Sequence, residues 1–393
     1  MRKFYFLFCL FFSFQVSAQV EFSGILDVGG TIGGKNSNQL TNGLSNKYPN
    51  FNIQSFSLFM FSPLSDNFNF NGKLSYNPML YGAGSYPRLV FANVSWDPEG
   101  ETYGIAVGKI LTPFGLFPKK QHSTDNMSFL PPLVYSYFVN VDPNLGYWPK
   151  AGDVGSYASD DKVGTPTIFG SGYQMGLKAY YSYDYWFESE IALTNSPVSV
   201  SAEQKSNNAV SVVTRLGFKP VIWYNFGVSF GYGSYMQDIP ELESEGKYKQ
   251  MTVGFDYTFA YSYFELSGEY IFNQWTAPKF ANEVYQVGTD FQFLTYTLQT
   301  HSGYLDLKVS IPDAPGLFVG SRVERIYFPT FKNPKNVAVM EKWDNDIDRY
   351  TLVVGYRLSK EVLFKVIGFK QKSMSGNIEP RDDAGAFQVS ISF

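Results

Sequence analysis

The chain has 393 residues, 35 acidic against 31 basic, and a formal charge of −4, so it lacks the basic balance expected of a nucleic-acid binder. Aromatic residues make up 18% of it and charged residues only 17%, with Phe, Tyr and Gly abundant. After the first residues no stretch approaches the roughly 18 consecutive apolar residues of a membrane helix, which leaves a large secreted β-protein or a membrane β-barrel.

Arg2 and Lys3 precede an apolar run from Phe4 to Phe14, and Val16-Ser17-Ala18 has the small-residue pattern of a cleavage site. A secretory signal peptide over 1–18 is expected, with residues 19–393 as one mature domain. Loss of Arg2 and Lys3 takes the formal charge from −4 to −6. The single cysteine, Cys9, lies in that leader and lacks the Leu-small-small-Cys setting of a lipid anchor. The mature chain is therefore expected to hold no disulfide, thiol nucleophile or zinc–thiolate site.

From there the chain reads as alternating runs. Strands are expected near 20–30, 52–61, 66–76, 88–96, 101–109, 170–182, 185–195, 209–219, 222–236, 246–260, 263–273, 300–310, 316–327, 345–358, 361–373 and 382–393. In "QMTVGFDYTF", Met251, Val253, Phe255 and Tyr257 share one parity, and Gln250, Thr252, Asp256 and Thr258 the other. Runs of roughly 9–11 residues are what a tilted strand needs to cross hydrocarbon.

Connections alternate in length. "SPLS", "DPEG", "YD", "PV", "YS", "IPDAPG" and "SKE" follow the even strands. Long segments rich in Gly, Asn, Pro and charge, such as 31–51, 110–169, 274–299 and 328–344, follow odd ones. A transmembrane barrel with periplasmic turns and long outer loops has this pattern. An unpaired edge cannot sit in lipid, so the last strand, "AFQVSISF", is expected to pair with the first, "VEFSGILDVGG". "FQVSISF" resembles the C-terminal assembly signal of bacterial outer-membrane proteins, ending in Phe393. The resemblance implies a Gram-negative outer-membrane location, contact with outer-membrane lipid, and a last strand read by the barrel-assembly machinery.

Sixteen strands leave an aqueous interior. The inward parity offers Lys73, Lys178, Glu188, Glu190, Arg215, Asp256, Glu265, Glu269, Asp306, Lys308, Arg322, Glu324, Arg349, Arg357 and Lys365. Such charges must face water or one another. Carboxylates concentrate on the seventh, tenth and eleventh strands and cations on the twelfth to fifteenth, giving either opposed charged walls or ion pairs between neighbouring strands.

Residues 110–169 form the outlying segment, rich in Phe114, Phe117, Phe129, Tyr135, Tyr137 and other aromatics that call for burial. In position and length it resembles the third loop of sixteen-stranded porins, which bends into the lumen as a constriction. Its approach, "GKILTPFG", is similar to the G-K-x-x-x-P-F-G of phosphate-selective and related porins. Lys119 and Lys120 fit the basic constriction of those relatives, whereas Asp125, Asp142, Asp153, Asp160 and Asp161 depart from it. The resemblance further implies a homotrimer.

"HSTD", His122 to Asp125, could serve a hydrolase only with its nucleophile and base in hydrogen-bond reach, which sequence adjacency does not provide. "GSGYQMG" lacks dinucleotide-binding spacing, and no carboxylate cluster has calcium-loop spacing, so no cofactor or metal is expected. Strand-end aromatics Tyr81, Trp96, Tyr103, Trp186, Trp223, Tyr224, Tyr261, Tyr263 and Trp343 are expected in interfacial girdles. Together these features point to a non-enzymatic sixteen-stranded outer-membrane β-barrel that passes small hydrophilic solutes or ions. Its expected constriction is Lys119, Lys120 and Asp125, with Glu188, Glu190, Arg215, Glu265, Glu269, Lys308, Arg322, Arg349 and Arg357 lining the pore. A phosphate- or carbohydrate-specific channel and a non-conducting adhesin or receptor are the alternatives.

Overall fold

The computed structural model describes residues 20–33, 49–77, 86–139, 141–142, 146–147, 164–170, 172–202, 204, 207, 209–238, 246–278, 284–287, 290–333, 336–344, 346–373 and 383–393. The expected signal peptide lies outside them, as do Tyr81, Asp153, Asp160 and Asp161.

Sixteen strands close into one antiparallel barrel in chain order. They are β1 (Glu21–Gly33), β2 (Asn50–Ser65), β3 (Phe68–Tyr76), β4 (Arg88–Trp96), β5 (Tyr103–Leu111) and β6 (Tyr173–Tyr183). Next come β7 (Phe187–Thr194), β8 (Ser211–Val221), β9 (Tyr224–Ser234), β10 (Lys249–Tyr261) and β11 (Phe264–Pro278). Then follow β12 (Thr295–Ser310), β13 (Leu317–Tyr327), β14 (Ile347–Arg357), β15 (Val362–Ser373) and β16 (Ala384–Ser392).

The tight turns after even strands are local chemistry. Asp184 and Ser262 take left-handed φ values of 49° and 56° in the "YD" and "YS" turns. Closure joins β1 to β16 from Ile25↔Ser392 to Gly33↔Ala384. The Gly24 N–H donates to the Phe393 carbonyl at 2.7 Å, and the Phe393 N–H returns to Gly24 O at 3.0 Å. Every barrel strand thus has two neighbours, which is what an apolar solvent demands.

Two boundaries move. The segment 274–299 reads as loop because Gln, Thr, Pro and Asn interrupt it, but β11 continues to Pro278 and β12 begins at Thr295. Trp275 pairs with Leu298 across this extension, and both are fully buried. Their burial in the lumen outweighs the loop-like composition.

Outward side chains are apolar and exposed, among them Val253, Phe255, Leu305, Leu307, Leu352 and Val354. The inward parity of the same strands carries Asp256, Asp306 and Thr351. A continuous apolar exterior around a polar interior fits a bilayer. Tyr183, Tyr185, Trp186, Trp223, Tyr261 and Tyr263 lie exposed at the short-turn end, as a girdle would. Trp343 does not join them. It is fully buried and packs edge-on against Trp275 at 5.9 Å and Phe328 at 5.0 Å. Its sequence neighbourhood resembles an interface, but the outer segments fold inward there. They join Leu133, Tyr137 and Val139 in an aromatic core at the long-loop end.

Candidate functional site

The described residues of the segment between β5 and β6, chiefly 112–139, pack against inward-facing side chains of the barrel, and the segment is closed at its base by Thr112 N–H to Gly172 O at 2.8 Å. The turn Thr112-Pro113-Phe114-Gly115 makes the entry. Gly115 has φ +67° and faces the Glu269 carboxylate and the Tyr135 hydroxyl, leaving no room for a side chain. Its N–H donates to Ser229 Oγ on β9 at 3.1 Å.

A 3-10 turn, Phe117–Lys119, follows. Its free N–H groups at Leu116 and Phe117 donate to Glu269 Oε1 at 2.8 and 2.5 Å. Tyr304 Oη donates to the same oxygen at 2.9 Å, and Tyr135 Oη to Oε2 at 2.6 Å. Glu269 thus gathers two strands and two parts of the loop around one buried carboxylate.

Further on, the loop meets ion pairs. Arg322 holds Asp306 through Nε and Nη2 at 2.6 and 2.7 Å; Nη2 also donates to Asn126 Oδ1 at 3.0 Å, and Nη1 donates to Leu130 O at 3.2 Å. Arg349 holds Glu324 at 3.1 and 2.8 Å and reaches Pro131 O at 2.6 Å. Glu324 accepts in turn from the Leu133 N–H at 2.6 Å, at the start of a one-turn helix. Lys365 donates to Ser123 O and Asn126 O at 2.8 and 3.1 Å. Buried ion pairs need their remaining donors satisfied, and here loop carbonyls and the Asn126 side chain take most of them, while Arg349 Nη1 has no partner among the described residues.

Of the two arrangements the charge pattern allows, ion pairs between nearby strands are the one these residues form. Arg215 closes on Asp256, Arg322 on Asp306 and Arg349 on Glu324, all between nearby strands. Glu269, Arg322 and Arg349 are buried beneath the loop and do not face across open water. Period-two parity locates a side chain in the lumen but says nothing of which loop covers it.

The remaining expected residues meet solvent near the short-turn end. Lys119 contacts Glu190 at 2.7 Å and Glu188 at 3.8 Å, and Lys178 holds Glu190 at 3.1 Å. Lys219 also binds Glu188. Lys120 pairs with Glu265 at 2.9 Å, which Lys308 approaches at 3.7 Å. Asp125 is exposed, and Arg357 reaches the Thr124 carbonyl at 3.0 Å. A cavity of about 450 Å³ is bounded by Lys119, Lys178, Glu188 and Glu190. A narrower one of about 90 Å³ lies between loop residues 117–131 and strands β1 to β3.

His122 sits over that narrow space in a turn closed by Asn126 N–H to His122 O at 2.6 Å. Its ring meets Phe59 edge-on at 5.0 Å. Burial, with the nearby Lys73 charge, holds the imidazole down at about 4, so it is neutral at physiological pH. His301 lies among Tyr270, Phe272 and Tyr327, its Nδ1 2.7 Å from Tyr270 Oη. The two histidines do not share a site. Asp27, Gln54 and Gln388, which line the narrow cavity, escape the sequence reading. Their uncharged or isolated character gives them less weight than the charge clusters, although Asp27 and Gln388 fall on the polar parity of their strands.

In fold, the chain is similar to bacterial outer-membrane porins. It matches the anion-selective porin from Comamonas acidovorans at a TM-score of 0.58 and 11% identity, over 95% of this chain and 99% of that one. The outer membrane channel DcaP of Acinetobacter baumannii matches at 0.54 and 11% identity, over 96% and 97%. OmpF of Salmonella typhi matches at 0.54 and 10%, over 96% and 98%. No protein-family model matches the sequence, and no curated protein matches it. The molecule is a closed sixteen-stranded barrel of the outer-membrane porin fold.

Proposed function

We propose that this protein is a passive diffusion channel of the outer membrane, a non-enzymatic porin for small hydrophilic solutes. One observation carries the reading. The loop after β5 is anchored to the β11–β15 side by buried charges, and polar cavities remain between it and strands β1–β3 and β6–β7. A segment that only filled the barrel would have no need of a polar margin along one wall. Small solutes would pass along that margin, with Lys119, Lys120 and Asp125 at the narrowing.

The half-exposed lysines and glutamates at the short-turn end form pairs, which supports weak rather than strong charge selectivity. Assembly through the barrel-insertion machinery and association as a homotrimer belong to the same proposal. Single-channel current from the refolded protein in a planar bilayer, under a salt gradient, tests it. Ohmic steps with a small reversal potential are expected. The apolar core at the long-loop end favours a second reading, a non-conducting surface barrel. Silence from demonstrably folded protein would leave that one standing.

A further inference from the structure

The outward face of β13–β15 changes character along its length. From the short-turn end, β14 presents Tyr356, Val354, Leu352 and Tyr350, and β15 presents Phe364 and Val366, then Lys370 and Lys372. Register sets Arg325, Asp348 and Lys372 in one row across the three strands, with Tyr350 beside Lys370 in the row below. Arg325 Nε lies 3.5 Å from Asp348 Oδ1, yet the arginine side chain stays 55% exposed. Lys342, from the segment between β13 and β14, reaches the same face. Its ammonium stands 5.0 Å from the ring centre of exposed Tyr327 and holds the buried Asp346 at 2.6 Å. Arg325, Lys342, Lys370 and Lys372 thus share this face with Asp346 and Asp348, an excess of two positive charges.

Strand geometry gives the patch its depth. Lys372 is eight residues beyond Phe364 on β15. At about 3.3 Å per residue and a tilt of about 40°, that is roughly 20 Å along the membrane normal, close to the height of an apolar belt. The cations therefore stand at the upper edge of the belt, toward the long loops and the outer leaflet, where lipid headgroups lie. Leu352 and Val366, 68% and 64% exposed, lie beneath them at acyl-chain depth.

The short-turn end carries the opposite sign. Its turns hold Asp66, Glu99, Asp184, Asp313 and Glu361 against one cation, Lys360. Lysines that merely snorkelled to an interface would serve at either end. A basic cluster confined to the outer edge instead complements an anionic headgroup, and guanidinium and ammonium groups together suit phosphate oxygens. A free anion would gain nothing from the apolar surface directly below. An amphiphile with phosphate above acyl chains uses both.

We propose that Arg325, Lys342, Lys370 and Lys372 form a docking site for the phosphorylated headgroup of a lipopolysaccharide in the outer leaflet, its acyl chains lying along Leu352, Val354 and Val366. The site is on the outside of the barrel, so it stands whether or not the lumen conducts.

Calorimetric titration of the detergent-folded protein with bis-phosphorylated lipid A, in the presence of a chelator, reads the binding. Dephosphorylated lipid A, phosphatidylglycerol and inorganic phosphate are the comparators. Saturable binding of the bis-phosphorylated lipid is expected. Removing its phosphates, or combining Arg325→Gln, Lys370→Gln and Lys372→Gln, should weaken it roughly tenfold or more. Lys360→Gln, at the other end, should change nothing. Heat-modifiable gel migration shows which variants are folded, and Lys372→Gln alone, with a smaller loss, carries the test if the triple variant is not. Equal binding by the dephosphorylated lipid or by the folded triple variant overturns the site. Phosphatidylglycerol binding as tightly overturns the lipopolysaccharide assignment, and displacement by inorganic phosphate at concentrations similar to the lipid's makes the site one for the free anion.

Discussion

Glu269 shows how one side chain organises the site. It sits on β11, yet four donors from the loop and from β12 converge on it. Glu269→Ala would strand those donors in a buried space, and a loss of about 3–5 kcal/mol is expected. Urea unfolding in lipid vesicles measures it, and an unchanged midpoint would show that the loop does not depend on this carboxylate. His122 makes a pH prediction. Its folded pKa of about 4 lies below the ordinary 6.5, so the unfolded chain takes up a proton first as pH falls. Stability present above pH 6.5 is therefore lost progressively down to about pH 4. The full effect is about 1–3 kcal/mol after allowance for solvent screening. His122→Gln should remove that part of the acid sensitivity, read as a flatter stability-versus-pH curve between those limits.

At the scale of elements, the luminal loop is the part that a barrel does not need in order to close. Its hydrogen bonds go to side chains of the wall, and the wall's own strand pairing is complete without it. Excising residues 116–131 should leave a folded, heat-modifiable barrel with conductance raised roughly twofold or more, since current follows the open cross-section. An unchanged conductance would place the narrowing elsewhere. The same loop shows what the sequence conceals. Its aromatic content and length say that it must be buried, and its "TPFG" entry marks the turn at Gly115. Which wall it would lie against was not legible, because Arg322 and Arg349 read equally well as solvated pore cations until the carbonyls of Leu130 and Pro131 are seen to face them.

The whole molecule is ruled by closure and by the apolar exterior. Removing 384–393 would expose unpaired edges on β1 and β15, and no stable barrel is expected by gel migration or circular dichroism. Val354, outward on β14 and exposed at 49%, lies in the apolar belt. Val354→Lys should cost about 2–4 kcal/mol in a bilayer, and much less if that surface faced water. Unfolding measured in vesicles and compared with Val354→Ala decides between them.

The sequence by itself determined the barrel: sixteen strands, their order, the short and long ends, and the pairing of the last strand with the first. All of these follow from a period of two and from turn chemistry, which act between residues close in the chain. Tertiary structure alone decided how the lumen is divided. Trp343 and Trp275 turned inward, the buried arginines became anchors for a loop 192 to 218 residues distant, and Asp27, Gln54 and Gln388 came together near Gly29. Such contacts arise where a closed wall brings remote segments into one low-dielectric space, and there the pairing of charge and hydrogen-bond donors, not local pattern, sets the arrangement.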